Sequence, residues 1–322
     1  ISSYKTTGFK VGIEHSSSSP LTINGNIYVH PNAGFGIYSL FNVILKGDVN
    51  SDGDFHCNFG TVVLNGVDQN LRMNTGNYFR NLKFNQSGTV TIDNSLSNIL
   101  DVKGNVVIQS GVYDMQDRIM HVGGNWTNNA GTAAFNEGTG RVVFNGTGTQ
   151  TCNSETFNIL EVNKTSGTMN FPGTTLCATY DWTAGGIIVS GGTFTANDLA
   201  DPGLFGSYTV NNGTINLHQD ALQYIDFAGD ITIGSNGVLN IYGGSSACYW
   251  PYHSNASLTM SGNAILDIKD QGIYVNHDYS LSFTHNITGG TIRTTKGYAG
   301  NRNDFSPAGG TFEFYGTGEW YI

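Results

Sequence analysis

The sequence predicts an all-β chain folded as a right-handed parallel β-helix, a β-solenoid with turns of about 20 residues. Three observations predict it. Glycine-initiated strand pairs recur at Gly25, Gly47, Gly104, Gly124, Gly185, Gly229 and Gly262. The steps from Gly25 to Gly47 and from Gly104 to Gly124 each match one such turn, and the wider gaps are close to whole multiples of it. Within the strands apolar residues alternate, as in Ile27 and Val29, Val106 and Ile108, Ile187 and Val189, Ile231 and Ile233. That period of two marks a wall with one buried face.

The composition agrees. Gly is 44 of 322 residues, charged residues are only 12%, and Val, Ile, Phe and Tyr fall in short runs, the usage of β-structure rather than of a helical enzyme or a charge-rich disordered chain. A net charge of −10 with no basic cluster argues against nucleic acid as a partner. No apolar run is long enough to cross a bilayer, and the chain opens on Ile with no signal-peptide pattern.

In chain order, residues 1–24, with Ser16 to Ser19 and Pro20, are expected to form an N-terminal cap or connector. Residues 25–322 are expected to form one solenoid. Roughly sixteen turns spaced about 4.8 Å apart would give a rod on the order of 75 Å long. Asn, Thr and Ser take the outward phase and the corners, where Gly and Asn accept positive φ at little cost. Stacking should then place like residues in ladders. Trp126 shares the inward phase of Val106 and Ile187, which predicts core filling. From Asp198 to His285 the pattern loosens, and Gly, Ser and Pro between residues 242 and 257 predict a loop projecting from the wall.

A super-repeat of approximately 80 residues lies over the short one. GTVVLNG at Gly60, GRVVFNG at Gly140 and GTFEFYG at Gly310 match, as do NQSGTVTI at Asn85 and NKTSGTMNF at Asn163. The stretch VGGNWTNNAGTAAFNEGTGRVVFNGTGTQT, Val122 to Thr151, is its clearest unit. It resembles the VGGNWTNN…GTVTFNGTGTQT…NKTSGTV repeats of very large secreted or surface-exposed, adhesin-like proteins of Bacteroidota and related bacteria. The resemblance covers mainly Gly60 to about Thr195, with an echo from Gly310 to Ile322. It implies a secreted or cell-surface location. The final GTGEWYI aligns with the opening of a super-repeat at Gly146, so the parent protein is expected to continue past Ile322.

Cys57, Cys152, Cys177 and Cys248 have neither zinc-knuckle nor CxxC spacing. Two readings stay open, core thiols or one disulfide, for which Cys152 and Cys177 are the pair one turn apart. Asp48, Asn50, Asp52 and Gly53 match the D-x-N-x-D-G opening of a calcium loop, but His56 and Phe59 stand at the ninth and twelfth positions, the latter where a bidentate acid is wanted. The same stretch fits an Asp/Asn-rich β-turn. Tyr249, Trp250, Tyr252 and His253 form the densest aromatic cluster, suited either to stacking on sugar rings or to packing a loop against the wall. The acid pairs Asp198 and Asp201, Asp226 and Asp230, and Asp267 and Asp270 fall in no recognisable catalytic motif, and no GxSxG, HExxH or P-loop occurs. His253, His277 and His285 are too loosely spaced to signal a metal, and the N-x-S/T triplets read as structural.

The function expected is therefore a non-enzymatic structural and adhesive module of a secreted or cell-surface bacterial protein: a stalk, an adhesin shaft or a fibre subunit. Its expected partners are flanking domains, end-to-end copies of itself and surface glycans, with calcium the one candidate cofactor. A carbohydrate-binding or carbohydrate-cleaving β-helix is the alternative, and a self-assembling extracellular filament a further one.

Overall fold

The structure, a computed structural model, describes residues 2–3, 10–14, 16–93, 95–201, 203–219, 225–243, 247–251, 254–270, 272–275, 280–296, 298–300 and 306–316. It is a β-solenoid. Strands stack in parallel, coil upon coil, and the one helical piece among the described residues is a 3-10 turn at Thr132–Ala134. About 12 coils of about 22 residues are formed, fewer and longer than the sequence spacing predicts. The reason lies in coils with extended corners, such as those that carry the chain from Ile231 to its partner Leu258 and on to His285.

The chain divides into two compact units, residues 1–160 and 161–322. In the first, three strand columns repeat. One runs through Val43–Leu45, Val62–Leu64, the start of Leu82–Asp93, the start of Val106–Asp114, and Trp126–Asn128. A second contains Ile27–Val29, Val49–Ser51 and Gln69–Met73. The third passes through Gly34–Ile37, Asp54–Cys57, Tyr78–Phe79, Ile99–Val102, Ile119–Val122 and Arg141–Phe144. The second unit repeats the same device, with one column through Thr193–Ala196, Thr214–Gln219, Val238–Gly243, Ile265–Ile268, Thr291–Thr294 and Thr311–Phe314.

Exact register turns period-two alternation into vertical apolar columns. Val43, Val62, Leu82, Val106 and Trp126 lie one above the next, all buried. In the second unit Phe194, Ile215, Leu239, Leu266 and Ile292 do the same. Each such side chain contributes about 1.5–3 kcal/mol by leaving water. A slip of one residue would turn the whole set outward. Trp126 is fully buried as its phase predicts, edge-on to Phe135 and Phe157.

The recurrent Gly-Asn pair has a physical cause. Asn26 Oδ1 accepts the Asp48 N–H of the next coil at 2.9 Å. The same bond joins Asn81 to Asn105 N–H, Asn105 to Asn125 N–H, and Asn125 to Thr151 N–H. In the first three of these bonds the amide lies against the glycine that precedes the donor, and a Cβ at Gly47, Gly104 or Gly124 would overlap it.

The super-repeat is equally concrete. Gln69 Oε1 accepts Gly66 N–H while its Nε2 donates to the Leu45 and Gly47 carbonyls. Gln150 repeats this with Gly146 N–H and the Val122 and Gly124 carbonyls. Both glutamines are buried, each bonding three backbone groups at a corner, where the Leu45 and Val122 carbonyls also accept the Asn65 and Asn145 N–H groups.

Two expected boundaries read differently in three dimensions. Part of the N-terminal segment joins the wall: Lys10–Ile13 pairs with Gly34–Ile37, and Leu21–Ile23 with Val43–Leu45. Where a projecting loop is expected at 242–257, Ala247–Trp250 is a wall strand paired with Gly272–Val275. Apolar Cys248 and Trp250 at alternate positions drive it inward, and both are fully buried. All four cysteines are buried free thiols rather than a disulfide.

Candidate functional site

Asp48, Asn50 and Asp52 alternate with the buried Val49 and Ser51 and so share the outward face of Val49–Ser51 and its flanks. Extended backbone separates Asp48 from Asn50 by roughly 6.5–7 Å and Asp52 sits at the bend after the strand, the two acids each with partners of their own. Their oxygens have separate employment. Asp48 Oδ1 accepts Asn70 N–H at 2.8 Å. Asp52 accepts the Tyr28 hydroxyl at 2.6 Å and pairs with the Arg72 guanidinium. Among the described residues no group of three or more His, Cys, Asp or Glu side chains is placed to hold a metal ion.

Of the aromatic cluster, Trp250 is fully buried, stacked on Phe227 with centroids 4.7 Å apart and tilted against Phe283 at 5.7 Å. Its indole N–H donates to Cys248 Sγ at 3.3 Å. Its faces are therefore core and not a sugar platform. Tyr252, His253 and the Tyr249 side chain lie outside the described residues.

The structure assembles a different cluster, on the outward face of the second unit. Thr195, Asn216, Asn240, Asp267, Arg293 and Glu313 occupy one column, one residue per coil. Asn216 Nδ2 donates to Thr195 Oγ1 at 3.1 Å and Asn240 Nδ2 to Asn216 Oδ1 at 2.8 Å. Further along, charges take over. Asp267, only 1% exposed, pairs with Lys269, lies 3.4 Å from Arg293, and accepts the Tyr315 hydroxyl at 2.6 Å. Arg293 reaches on to Glu313 at 2.8 Å and covers the Tyr315 ring at 4.8 Å. Burial, then the bond to Asp267, pushes the Tyr315 phenol up, so it stays a donor.

Two positions along the strands a second column begins. His218 and Tyr242 stack face to face at 4.2 Å and 4°, with the Lys269 ammonium 5.9 Å from the Tyr242 centroid. Burial pushes the His218 imidazole down and Asp270 opposes it. One face of each ring is taken up by the stack, with edges, amides and charged heads outward. This surface can hydrogen-bond a partner lying across several coils.

Sequence reasoning misses this cluster because its members stand a full coil apart in the chain and become neighbours only through register. Asp267 and Asp270 are visible as a pair in sequence, yet they separate: Asp267 is buried, and the exposed Asp270 accepts Gly243 N–H at 3.0 Å. Asp226 and Asp230 separate likewise, the first buried and the second exposed.

In the first unit Glu155, 1% exposed, accepts the Trp126 indole N–H and the Asn128 amide, both at 2.8 Å, and Thr156 N–H at 3.0 Å. Burial pushes its carboxyl up to about 7 against those three donors, with Glu137 adding to the rise. Burial also takes Lys164, in the second unit, down to about 8. No protein-family model, curated protein or solved structure matches the chain.

Proposed function

We propose that the chain is a structural and adhesive module, a stalk, adhesin shaft or fibre subunit, of a secreted or cell-surface bacterial protein. One observation carries the reading: polar side chains are spent stitching each coil to the next. Asn26, Asn81, Asn105, Asn125, Gln69 and Gln150 all do this, and the charged column of Asp267, Arg293 and Glu313 extends it outward. A solenoid stabilised by neighbour interfaces can lengthen without a new core, which suits a scaffold. Its partners would be flanking domains of the same protein, end-to-end copies, or surface glycans lying on the outward ladder, with no catalytic role.

The test is retention under flow. Beads coated with the purified chain should hold to mucin- or epithelial-matrix-coated surfaces, and the double variant Lys269→Glu, Arg293→Glu should release them while keeping a β-rich circular dichroism spectrum. Retention no better than albumin-coated beads on every surface refutes adhesion. Protection from external protease on intact source cells refutes surface exposure.

A further inference from the structure

A groove of about 510 Å³ opens in the first unit where the chain turns three successive corners, at Pro31–Gly34, Asp52–Asp54 and Asn74–Asn77. Volumes of that order hold one or two sugar rings. Its walls are set by bonds that leave little to rearrange. Asn77 Oδ1 accepts Phe55 N–H at 2.7 Å and its Nδ2 donates to Ser51 Oγ at 3.0 Å. Asn74 Nδ2 donates to the Asp52 carbonyl at 2.8 Å while its Oδ1 accepts Thr75 N–H, and Asp52 is held by Tyr28 and Arg72. Gly53 is pressed against the His30 and Ala33 carbonyls of the preceding corner, whereas Gly76 faces open space.

On this fixed frame the exposed groups are the Asn32 amide, the Asp54 carboxylate and the Thr75 hydroxyl, one from each corner. Asn32 sits at φ 64°, a conformation Asn tolerates better than most residues. Asp54 is 47% exposed at its side chain even while holding His56 Nδ1 at 3.0 Å. Among the described residues no Lys or Arg lines the groove; Asp52 is already paired with Arg72, and the exposed Asp54 carboxylate repels anions. A ligand that suits it offers several hydroxyl donors and acceptors about one coil spacing apart and carries no negative charge. Carboxylates accept from hydroxyls more strongly than neutral acceptors do, and the Pro31 and glycine C–H surfaces complete a floor for a ring.

We propose that this three-corner groove is a binding site for a short neutral saccharide, anchored by Asp54 with Asn32 and Thr75 on the adjoining coils. It stands on the groove alone and holds whether or not the chain serves as an adhesive scaffold.

Backbone amide NMR on the folded chain tests it, with cellobiose, lactose and N,N′-diacetylchitobiose as neutral probes, digalacturonic acid as the anionic control and putrescine as the cationic one. At least one neutral disaccharide should shift the Gly34, Asp54 and Gly76 amides. Asp54→Asn, which can still accept from His56, should weaken that binding about tenfold with an unchanged melting temperature. Thr75→Ala, at an exposed turn position, serves as the second variant should Asp54→Asn lose stability, and should also weaken it. Silence at these amides with all three neutral sugars overturns the proposal. So does equal binding of digalacturonic acid, a response to putrescine alone, or sugar binding that both variants leave unchanged.

Discussion

In residues 1–160 the amides of Asn81, Asn105 and Asn125 each take a backbone N–H of the following coil. In residues 161–322 the corresponding work falls largely to side chains bonding one another, Asn240 to Asn216, His218 against Tyr242, Arg293 to Asp267 and Glu313. The second unit keeps the first device at Asn255, whose Oδ1 accepts Ser282 N–H. The two solutions differ in what they demand of sequence. An amide that reaches backbone needs Asn or Asp at one position and a close approach to the residue before the donor in the next coil, which is Gly at 47, 104 and 124. A side-chain ladder asks only that neighbours be complementary, so Thr, Asn, Asp, Arg and Glu follow one another in a single column.

The first unit's dependence on side-chain clamps shows most strongly at its two buried glutamines. Gln150→Ala removes the bonds to Gly146 N–H and to the Val122 and Gly124 carbonyls, of which Val122 keeps Asn145 N–H, and Gln69→Ala does the same one super-repeat earlier, where Leu45 keeps Asn65 N–H. Each buried group left unsatisfied costs about 1–3 kcal/mol where water does not replace the bond. A loss of about 3 kcal/mol in urea denaturation is expected for either variant. Values under about 1 kcal/mol would mean the clamps are decoration and the apolar columns alone hold register.

Glu155 gives an effect of similar size with a sign set by pH. Its folded carboxyl sits at about 7, above its ordinary 4.5, so the proton is bound more tightly in the folded chain. The stability this contributes is present below pH 4.5 and is lost as pH rises through 7. Relative to Glu155→Gln, the parent chain should lose on the order of 3 kcal/mol between pH 4.5 and 8. Parallel stability curves for the two proteins across that range would show that the donors Trp126 and Asn128 keep the carboxyl ionised after all.

The next contrast is between single amides. Asn105→Ala in the first unit strips the exposed Asn125 N–H of its side-chain acceptor and should cost about 0.5–1.5 kcal/mol, the net worth of one hydrogen bond. Asn240→Ala in the second unit removes one rung of a partly exposed ladder and should stay within about 0.5 kcal/mol. Equal losses would erase the distinction between the two devices.

The same difference decides what could be read from sequence. Gly-Asn starts and the GTVVLNG and GRVVFNG phrases are local, so the parallel coil, the inward Trp126 and the super-repeat were legible. The loosening after Asp198 reflects a unit whose register is held by columns such as Phe194 to Ile292, where many apolar residues serve equally. Trp250 misled because Gly, Ser and Pro around it signal a loop, while its own burial between Phe227 and Phe283 depends on partners in other coils. The groove between three corners and the Asp267 cluster are products of coil length, which period-two alternation does not encode.

The smallest effect expected is calcium's, and it follows from the strand at Val49–Ser51. A calcium loop curls so that alternate oxygens face one ion. Here Asp48 and Asn50 lie along the strand and Asp52 at the corner after it, the first bonded to Asn70 N–H and the last paired with Arg72. Binding would have to break that ion pair and the Tyr28 bond and then bend a strand registered on both sides. Calorimetric titration with calcium should therefore give no heat beyond dilution, and chelator should leave the melting temperature unchanged. A saturable heat abolished by Asp52→Asn would show instead that the corner after Ser51 opens to take the ion, and that the first unit's outward face is less committed to its own backbone than the amide clamps suggest.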